Sequence, residues 1–332
     1  MLPSDAVIAI TSRCNARCNM CSVWQSKGTD RLRPDHIVKL PRSLRTVNIT
    51  GGEPFLHPQL PDFVAAVRRH LPRAVTTIST NGLLTDHIAQ MTPDLLARDR
   101  HLRIAVSIDG LGDTHDRIRG VPGAFNRAIQ TIEQLKRIGF RGLRLAMTLS
   151  EANSDQLLPV AALTRKFGLE LSLVPAHASA VHFLTSDTAP ANLEVLQPQL
   201  EIFISRLLRS VSPRLWLRAH FADRVGKYIA CRLPSFSCRA GNDFFFLQAD
   251  GTIYPCNVCS KPLGNIIEAD FHRIWFSPEA DLVRQEVSKC HRQCWMVCNA
   301  RSYYRAHFLQ VLLWIFAQKF RAHFRYFFSP KS

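Results

Sequence analysis

Cys14, Cys18 and Cys21 follow one another at C-x3-C-x2-C spacing, directly after the apolar run Ala6-Val7-Ile8-Ala9-Ile10. Thiolates are ligands for iron and zinc, and iron–sulfur clusters are usually held by four of them. Three close together leave one metal position open, and an open position is where substrate chemistry takes place. The same spacing also fits a zinc knuckle completed by a fourth ligand elsewhere, so the cysteines alone leave iron and zinc both open. The other seven of the chain's ten cysteines lie between Cys231 and Cys298. Met1-Leu2-Pro3-Ser4-Asp5 runs straight into a strand-like segment with nothing resembling a signal peptide. Clustered cysteines without an export signal point to metal or redox chemistry, not to disulfides, and to a cytoplasmic location.

The elements that must position these residues read as an α/β alternation. Strand candidates are 6–11, 46–50, 75–79, 103–108, 143–149 and 169–174, with amphipathic segments such as 60–71 and 124–138 between them. Leu60, Phe63, Val64, Val67 and Leu71 recur at helical spacing. Six β–α repeats predict parallel strands with crossover helices, as a barrel or an open sheet, with ligands at the C-terminal ends of the strands. Residues 176–218 read as helical. Composition shifts to cysteine, aromatic and glycine from Cys231, so a boundary is expected near 217–228, with domains 1–222 and 223–300 and a tail 301–332.

Polar loops fall at the expected strand ends: Gly51-Gly52-Glu53-Pro54 after the second, Ser79-Thr80-Asn81-Gly82 after the third, Ser107-Ile108-Asp109-Gly110 at the fourth. Any one alone reads as an ordinary turn. Together with C-x3-C-x2-C they resemble the radical S-adenosylmethionine (SAM) superfamily, and the stretch from His115 to Phe125 is similar to that family's loop and helix start after the fourth strand. The resemblance implies a partial (β/α)6 TIM-like barrel in which Cys14, Cys18 and Cys21 bind a [4Fe–4S] cluster at three irons. SAM would chelate the fourth iron, and the reduced cluster would cleave it to methionine and a 5'-deoxyadenosyl radical that takes a hydrogen atom from substrate. Gly51, Gly52 and Glu53 would then meet the SAM ammonium; Ser79, Thr80 and Asn81 its carboxylate or ribose; Ser107 and Asp109 the ribose hydroxyls. Asp109 also reads as a simple turn residue. Met20 stands where the family usually has an aromatic residue near the adenine; its flexible thioether can fill that space.

Cys238, twelve residues, Gly251, four residues, Cys256, then Leu263-Gly264-Asn265-Ile266 and Cys290-x3-Cys294-x3-Cys298, look like the SPASM or shorter twitch extension, which binds one or two auxiliary clusters. An Asp250-Gly251 turn would bring Cys238 and Cys256 together. The expected ligands of one auxiliary [4Fe–4S] cluster are Cys238, Cys256, Cys290 and Cys294, with Cys298 the alternative; a twitch-like single cluster is expected because C-x2-C-x5-C-x3-C is absent. A structural zinc is the competing occupant. Cys231 and Cys259 are left over, either as small buried hydrophobes or as hydrogen donors to a substrate radical.

The formal net charge of +16 fits nucleic acid, anionic membrane or acidic substrates, but no nucleic-acid module is visible, so no nucleic-acid partner is expected. After Cys298 the chain has no acid; Arg301, Arg305, Lys319 and Arg321 are interleaved with Tyr303, Phe308, Trp314 and Phe316. The apolar stretch 308–317 is too short to span a bilayer. Residues 301–328 therefore read as an interfacial helix at the inner face of the membrane, as a segment docked on the barrel, or as a contact for a partner. The leading expectation is radical oxidation, or another radical modification, of a small-molecule, sugar or lipid-linked substrate, with a flavodoxin or ferredoxin as low-potential electron donor. Peptide or protein maturation is the alternative; an early first strand leaves no room for a leader-binding domain before it. A non-catalytic iron–sulfur or zinc-stabilised binding protein is the reading from another class. His177 and His182, beyond the sixth strand, read either as substrate contacts or as ordinary loop histidines.

Overall fold

Strands buried on both faces read as nearly continuous apolar runs, and helices must cover them. The computed structural model describes residues 1–185, 188–232, 236–292 and 294–327, with side chains in the last helix up to residue 323. Its first half runs β1 (Asp5–Thr11), β2 (Thr46–Gly51), α1 (Leu60–His70), β3 (Val75–Thr80), α2 (Thr85–Arg98), β4 (Arg103–Ser107), α3 (Gly112–Arg119), α4 (Ala124–Arg137), β5 (Leu143–Leu149) and α5 (Leu157–Lys166). Then come β6 (Leu171–Pro175), α6 (Leu193–Leu208), α7 (Pro213–Ile229), β7 (Phe244–Leu247), β8 (Thr252–Tyr254), β9 (Gly264–Asn265), α8 (Phe271–Trp275), α9 (Pro278–Ser288), α10 (Val297–Ala306) and α11 (Phe308–Phe327).

β1 to β6 lie side by side in chain order, each pair parallel, as the alternation predicts. Crossover helices bury one stripe each; on α4 it is Ala124, Ala128, Thr131, Ile132 and Leu135, at helical period. β5 shows how the strands serve the site. Leu143, Leu145, Met147 and Leu149 are buried under the helices, while Ala146 and Thr148 point the other way and line an interior chamber.

Two features differ from the sequence reading. Residues 176–185 and 188–192 are not helical, and a bridge joins Ser179 to Thr185. The helix waits for Asn192, whose side chain caps it by accepting from the Glu194 N–H, two residues after Pro190. The expected boundary region 217–228 falls inside the single helix α7. Beyond it β7 pairs in parallel with β1, and β8 and β9 add antiparallel strands, so one sheet of nine strands runs through both parts of the chain.

α10 is fastened to the start of β1. Asp5, 2% exposed, accepts from Arg301 Nη1 at 2.6 Å and Ser4 Oγ at 2.6 Å, and also from Thr46. Burial alone would raise this carboxyl, but Arg301 and the hydroxyl donors outweigh it and hold it below the usual range. Asp5→Asn is expected to lower stability by about 2 kcal/mol in urea unfolding at neutral pH. A depressed carboxylate contributes above its unfolded-state pKa and is lost as pH falls through its folded-state value, so the gap to wild type should close in acid. A gap that does not close would count against the ion pair.

α11 docks on the barrel through Val311, Ile315 and Ala322. Trp314 meets His220 edge-on at 4.9 Å, and Lys319 Nζ donates to the Leu208 carbonyl at 2.7 Å. Among the described residues no helix is long and apolar enough to cross a membrane. The end of the tail, 328–332, lies outside the described residues.

Candidate active site

The loop after β1 that carries Cys14, Cys18 and Cys21 is gripped through its backbone. Gly51 has φ +136°, and a Cβ there would collide with the Thr11 carbonyl oxygen; at Gly52 it would collide with that of Arg13. Only glycine lets the turn after β2 lie this close to the cysteine loop. From the other side Gly120, left-handed at φ +63°, packs on the Arg17 carbonyl, while Arg17 and Asn19 N–H donate to the Arg119 and Ile118 carbonyls at 2.8 and 3.0 Å. Asp30 completes the grip, accepting from Thr11 Oγ1 at 2.6 Å and the Ser12 N–H at 2.9 Å.

The three thiols open into a chamber of about 330 Å³ at the C-terminal ends of the strands. Met20, Gly51, Gly52, Ser79, Thr80, Asn81 and Ser107 line it with them, as do His177 and His182. Asn81 Nδ2 lies 4.0 Å from Cys14 Sγ. Burial, then the neighbouring thiols and Glu53, push the Cys14 thiol up to about 12; burial, then Cys18, push Cys21 up to about 11. The donor set, the glycine turns and the polar rim thus fit an iron–sulfur cluster with SAM on it.

Glu53 and Asp109 are fully buried and stand behind the chamber wall, not at it. Glu53 accepts from Thr80 Oγ1 at 2.8 Å, the Asn81 N–H at 2.7 Å and the Phe55 N–H at 3.2 Å, and burial raises it to about 7. It fixes the Ser-Thr-Asn-Gly loop. Asp109 pairs with Arg119 Nη2 at 2.5 Å and accepts from the Thr148 N–H at 2.8 Å. Arg119 is the residue that sequence reasoning missed. Its guanidinium lines the chamber, and Nη1 donates to Cys18 Sγ at 3.7 Å, so one buried cation links the cysteine loop to Asp109. The only signal was its place in the His115–Phe125 stretch, where it is the last residue of α3.

The β7–β8 hairpin turns at Asp250-Gly251 as predicted and sets Cys256 beside Cys238. Burial raises both; Cys256 reaches about 12, with Cys238 and Cys259 adding to it, and Cys294 also reaches about 12, with Cys290 and Cys238 adding. Cys259 packs in the same cluster as Cys238 and Cys256. Its N–H donates to Cys256 Sγ at 3.3 Å across a tight C-x2-C turn, and burial, then the Cys290 thiol, raise it. Cys298 is half-buried, with Arg301 and Asp5 near it. Neither candidate hydrogen donor reaches the chamber: Cys231 is exposed at the end of α7 with φ +52°, and Cys259 faces its fellow thiols. Of this second group, Cys256 and Cys298 line the chamber.

His177 lines the chamber and is tied through Tyr228 to the second thiol group. Tyr228 Oη meets His177 Nδ1 at 3.1 Å and also reaches the Cys294 thiol. His177 Nε2 is buried without a partner among the described residues. Burial, then Arg292, lower this imidazole to about 4, so it is neutral at pH 7.

A three-thiol loop and a second thiol group, sharing one chamber at the C-terminal rim of a partial barrel, define an enzyme that works with iron–sulfur clusters. Residues 8–162 match the model of the radical SAM superfamily, and residues 238–299 match that of the SPASM iron–sulfur cluster-binding domain. The chain belongs to the radical SAM superfamily and carries a C-terminal SPASM domain; its cofactors are SAM, a [4Fe–4S] cluster and auxiliary iron–sulfur. The AdoMet-dependent heme synthase of Methanosarcina barkeri is 25% identical over 89% of this chain and 90% of that protein. The sporulation killing factor maturation protein SkfB of Bacillus subtilis is 23% identical over 80% of this chain and 63% of its own length. Streptococcus suis SuiB bound to S-adenosylmethionine shares the fold, with TM-score 0.65 and 17% identity over 85% of this chain and 68% of SuiB.

Proposed function

We propose that this radical SAM enzyme oxidises a small, uncharged or anionic molecule held between its two thiol groups. The observation that carries this is the single chamber touched by Cys14, Cys18 and Cys21 at one wall and by Cys256 and Cys298 at another. Among the described residues that wall includes Arg119 and two histidines but no carboxylate, which favours neutral or negative substrate groups. The likeness to a heme synthase along nine-tenths of its length supports a substrate that is not a peptide. The likeness to SkfB favours peptide maturation as the second reading.

In this reading residues 1–222 supply the core, 223–300 the auxiliary domain and 301–332 a basic tail. Cys14, Cys18 and Cys21 hold the first cluster, and Cys238, Cys256, Cys290 and Cys294 hold one auxiliary cluster, with Cys259 and Cys298 as the other thiols in reach. When bound, the first cluster and SAM would supply the radical chemistry for removing hydrogen from substrate. Met20, Gly51, Gly52, Ser79, Thr80, Asn81 and Ser107 contact SAM. Glu53 orients the Thr80 and Asn81 donors, and Asp109 orients Arg119. His177 offers Nε2 to substrate while Tyr228 fixes its ring. A flavodoxin or ferredoxin serves as electron donor.

The test uses extract from cells grown in deuterated medium, split into small-molecule and peptide fractions. Each fraction is added to reconstituted enzyme with unlabelled SAM and reductant. Deuterium is expected in 5'-deoxyadenosine from the small-molecule fraction. Label from the peptide fraction alone would establish the second reading, and label from neither would remove hydrogen abstraction from both. His177→Ala should lower label uptake about tenfold and leave unlabelled 5'-deoxyadenosine release unchanged; equal uptake would remove His177 from the substrate site.

A further inference from the structure

Helices of a parallel β/α sheet run against their strands, so their last turns and the loops into the next strands gather at the end opposite the chamber. Here that end is basic. Arg45, Arg73, Arg100 and Arg141 stand exposed just before β2, β3, β4 and β5. Bases in a helix's last turn are accounted for by its dipole, but these four lie beyond the helix ends. Among the described residues none of the four takes part in an ion pair. Inside the same end the Arg144 guanidinium is held down to about 10 by burial and then by Arg218, Arg103 and Arg301 around it.

α11 lies on this end. It follows α10, whose Arg301 and Arg305 reach Asp5 at the start of β1, and its Lys319 reaches the carbonyls of Leu208 and Ser210 where α6 stops. One face is docked; the other shows Leu309, Leu313 and Phe316, which are 72%, 70% and 62% exposed. Their spacing of four and three residues sets them in one stripe. Val211, next to Ser210, is 93% exposed.

We propose that this end of the barrel docks on an anionic lipid bilayer, with Leu309, Leu313 and Phe316 at the headgroup boundary and the loop arginines against lipid phosphates. Charge selects this occupant. A second copy would bring two sets of arginines together, on a chain whose formal charge is already +16. A nucleic acid would meet the arginines and leave the apolar stripe in water. A bilayer meets both.

The test is flotation of the full reconstituted chain with phosphatidylcholine vesicles and with vesicles containing equal parts phosphatidylcholine and phosphatidylglycerol. The protein is expected to float with the anionic vesicles, less so at high salt, and to stay behind with the neutral ones. Arg73→Glu/Arg100→Glu/Arg141→Glu should weaken partitioning by on the order of 100-fold or more. Leu313→Glu/Phe316→Glu should abolish flotation. All these side chains are exposed, and unchanged iron–sulfur absorbance and circular dichroism verify the fold of each variant. The proposal is overturned if wild type does not float, if both vesicle types carry it equally, or if either variant floats as wild type does. A dimer in light scattering that Leu313→Glu converts to monomer would assign the stripe to a second copy and also overturn it.

Discussion

Replacing Cys14, Cys18 and Cys21 together by alanine is expected to abolish 5'-deoxyadenosine formation and to lower bound iron from about eight to about four per chain. The effect is expected to be specific because the loop is held by groups other than its thiols. Gly51, Gly52 and Gly120 seat it on neighbouring backbone, and Asp30 ties down its first residues. The variant should therefore fold and keep the iron bound through the second thiol group. Iron and sulfide counts with mass-spectrometric detection of 5'-deoxyadenosine decide the matter. About twelve irons in wild type would mean two auxiliary clusters, not one. Stoichiometric zinc and no SAM cleavage in wild type would remove the assignment of these cysteines to iron.

Arg119→Met is expected to destabilise the metal-free protein by about 3–5 kcal/mol, the usual effect of leaving one member of a buried ion pair alone. Arg119 is 8% exposed and Asp109 fully buried. Both burial and the nearby thiols bear on this guanidinium: burial would lower its pKa, but Asp109 and then Cys18 raise it above its ordinary value, so it stays charged at every accessible pH. Removing it strands the Asp109 carboxylate behind the chamber. Asp109→Asn in the Arg119→Met background should recover part of the loss, which distinguishes a stranded charge from simple loss of packing. Urea midpoints for the two single variants and the double variant measure this; equal midpoints for wild type and Arg119→Met would mean that the pair contributes nothing. The same variant should reconstitute iron poorly, because Cys18 loses its only cationic donor among the described residues.

The barrel was legible in the chain because its strands are short, apolar and bounded by polar loops, and because parallel strands bury both faces. The cysteine loop was legible because ligand spacing is local. What lay hidden depends on distances between residues far apart in the chain. Arg119 meets Cys18 across 101 positions, and nothing in its neighbours announces that contact. Glu53 and Asp109 were expected at the ligand, but their side chains turn away from the chamber to satisfy backbone N–H groups and a guanidinium. Gly51 and Gly52 were expected at the ligand; they line the chamber and in addition admit the backbone of the cysteine loop. Cys259 meets Cys256 within one short turn, but its other thiol neighbours, Cys238 and Cys290, lie on other segments. Residues 176–185 and 188–192 read as helical on their scattered apolar residues, but the helix starts only after Pro190, at the Asn192 cap.

The parallel pairing of β1 with β7 also bears on how the protein is made. Asp5 aligns with Phe244 and Ile8 with Leu247, so β1 finds this neighbour only after everything between β1 and β7 has been synthesised. On its other side β2 arrives early, but this edge stays open until residue 247 has emerged, and an open apolar edge is a template for pairing with another nascent chain. The alanines and isoleucines that make β1 a good central strand make it a hazard during that interval. Completion of the SPASM segment is thus a folding event for the barrel as well as the arrival of a second set of thiols.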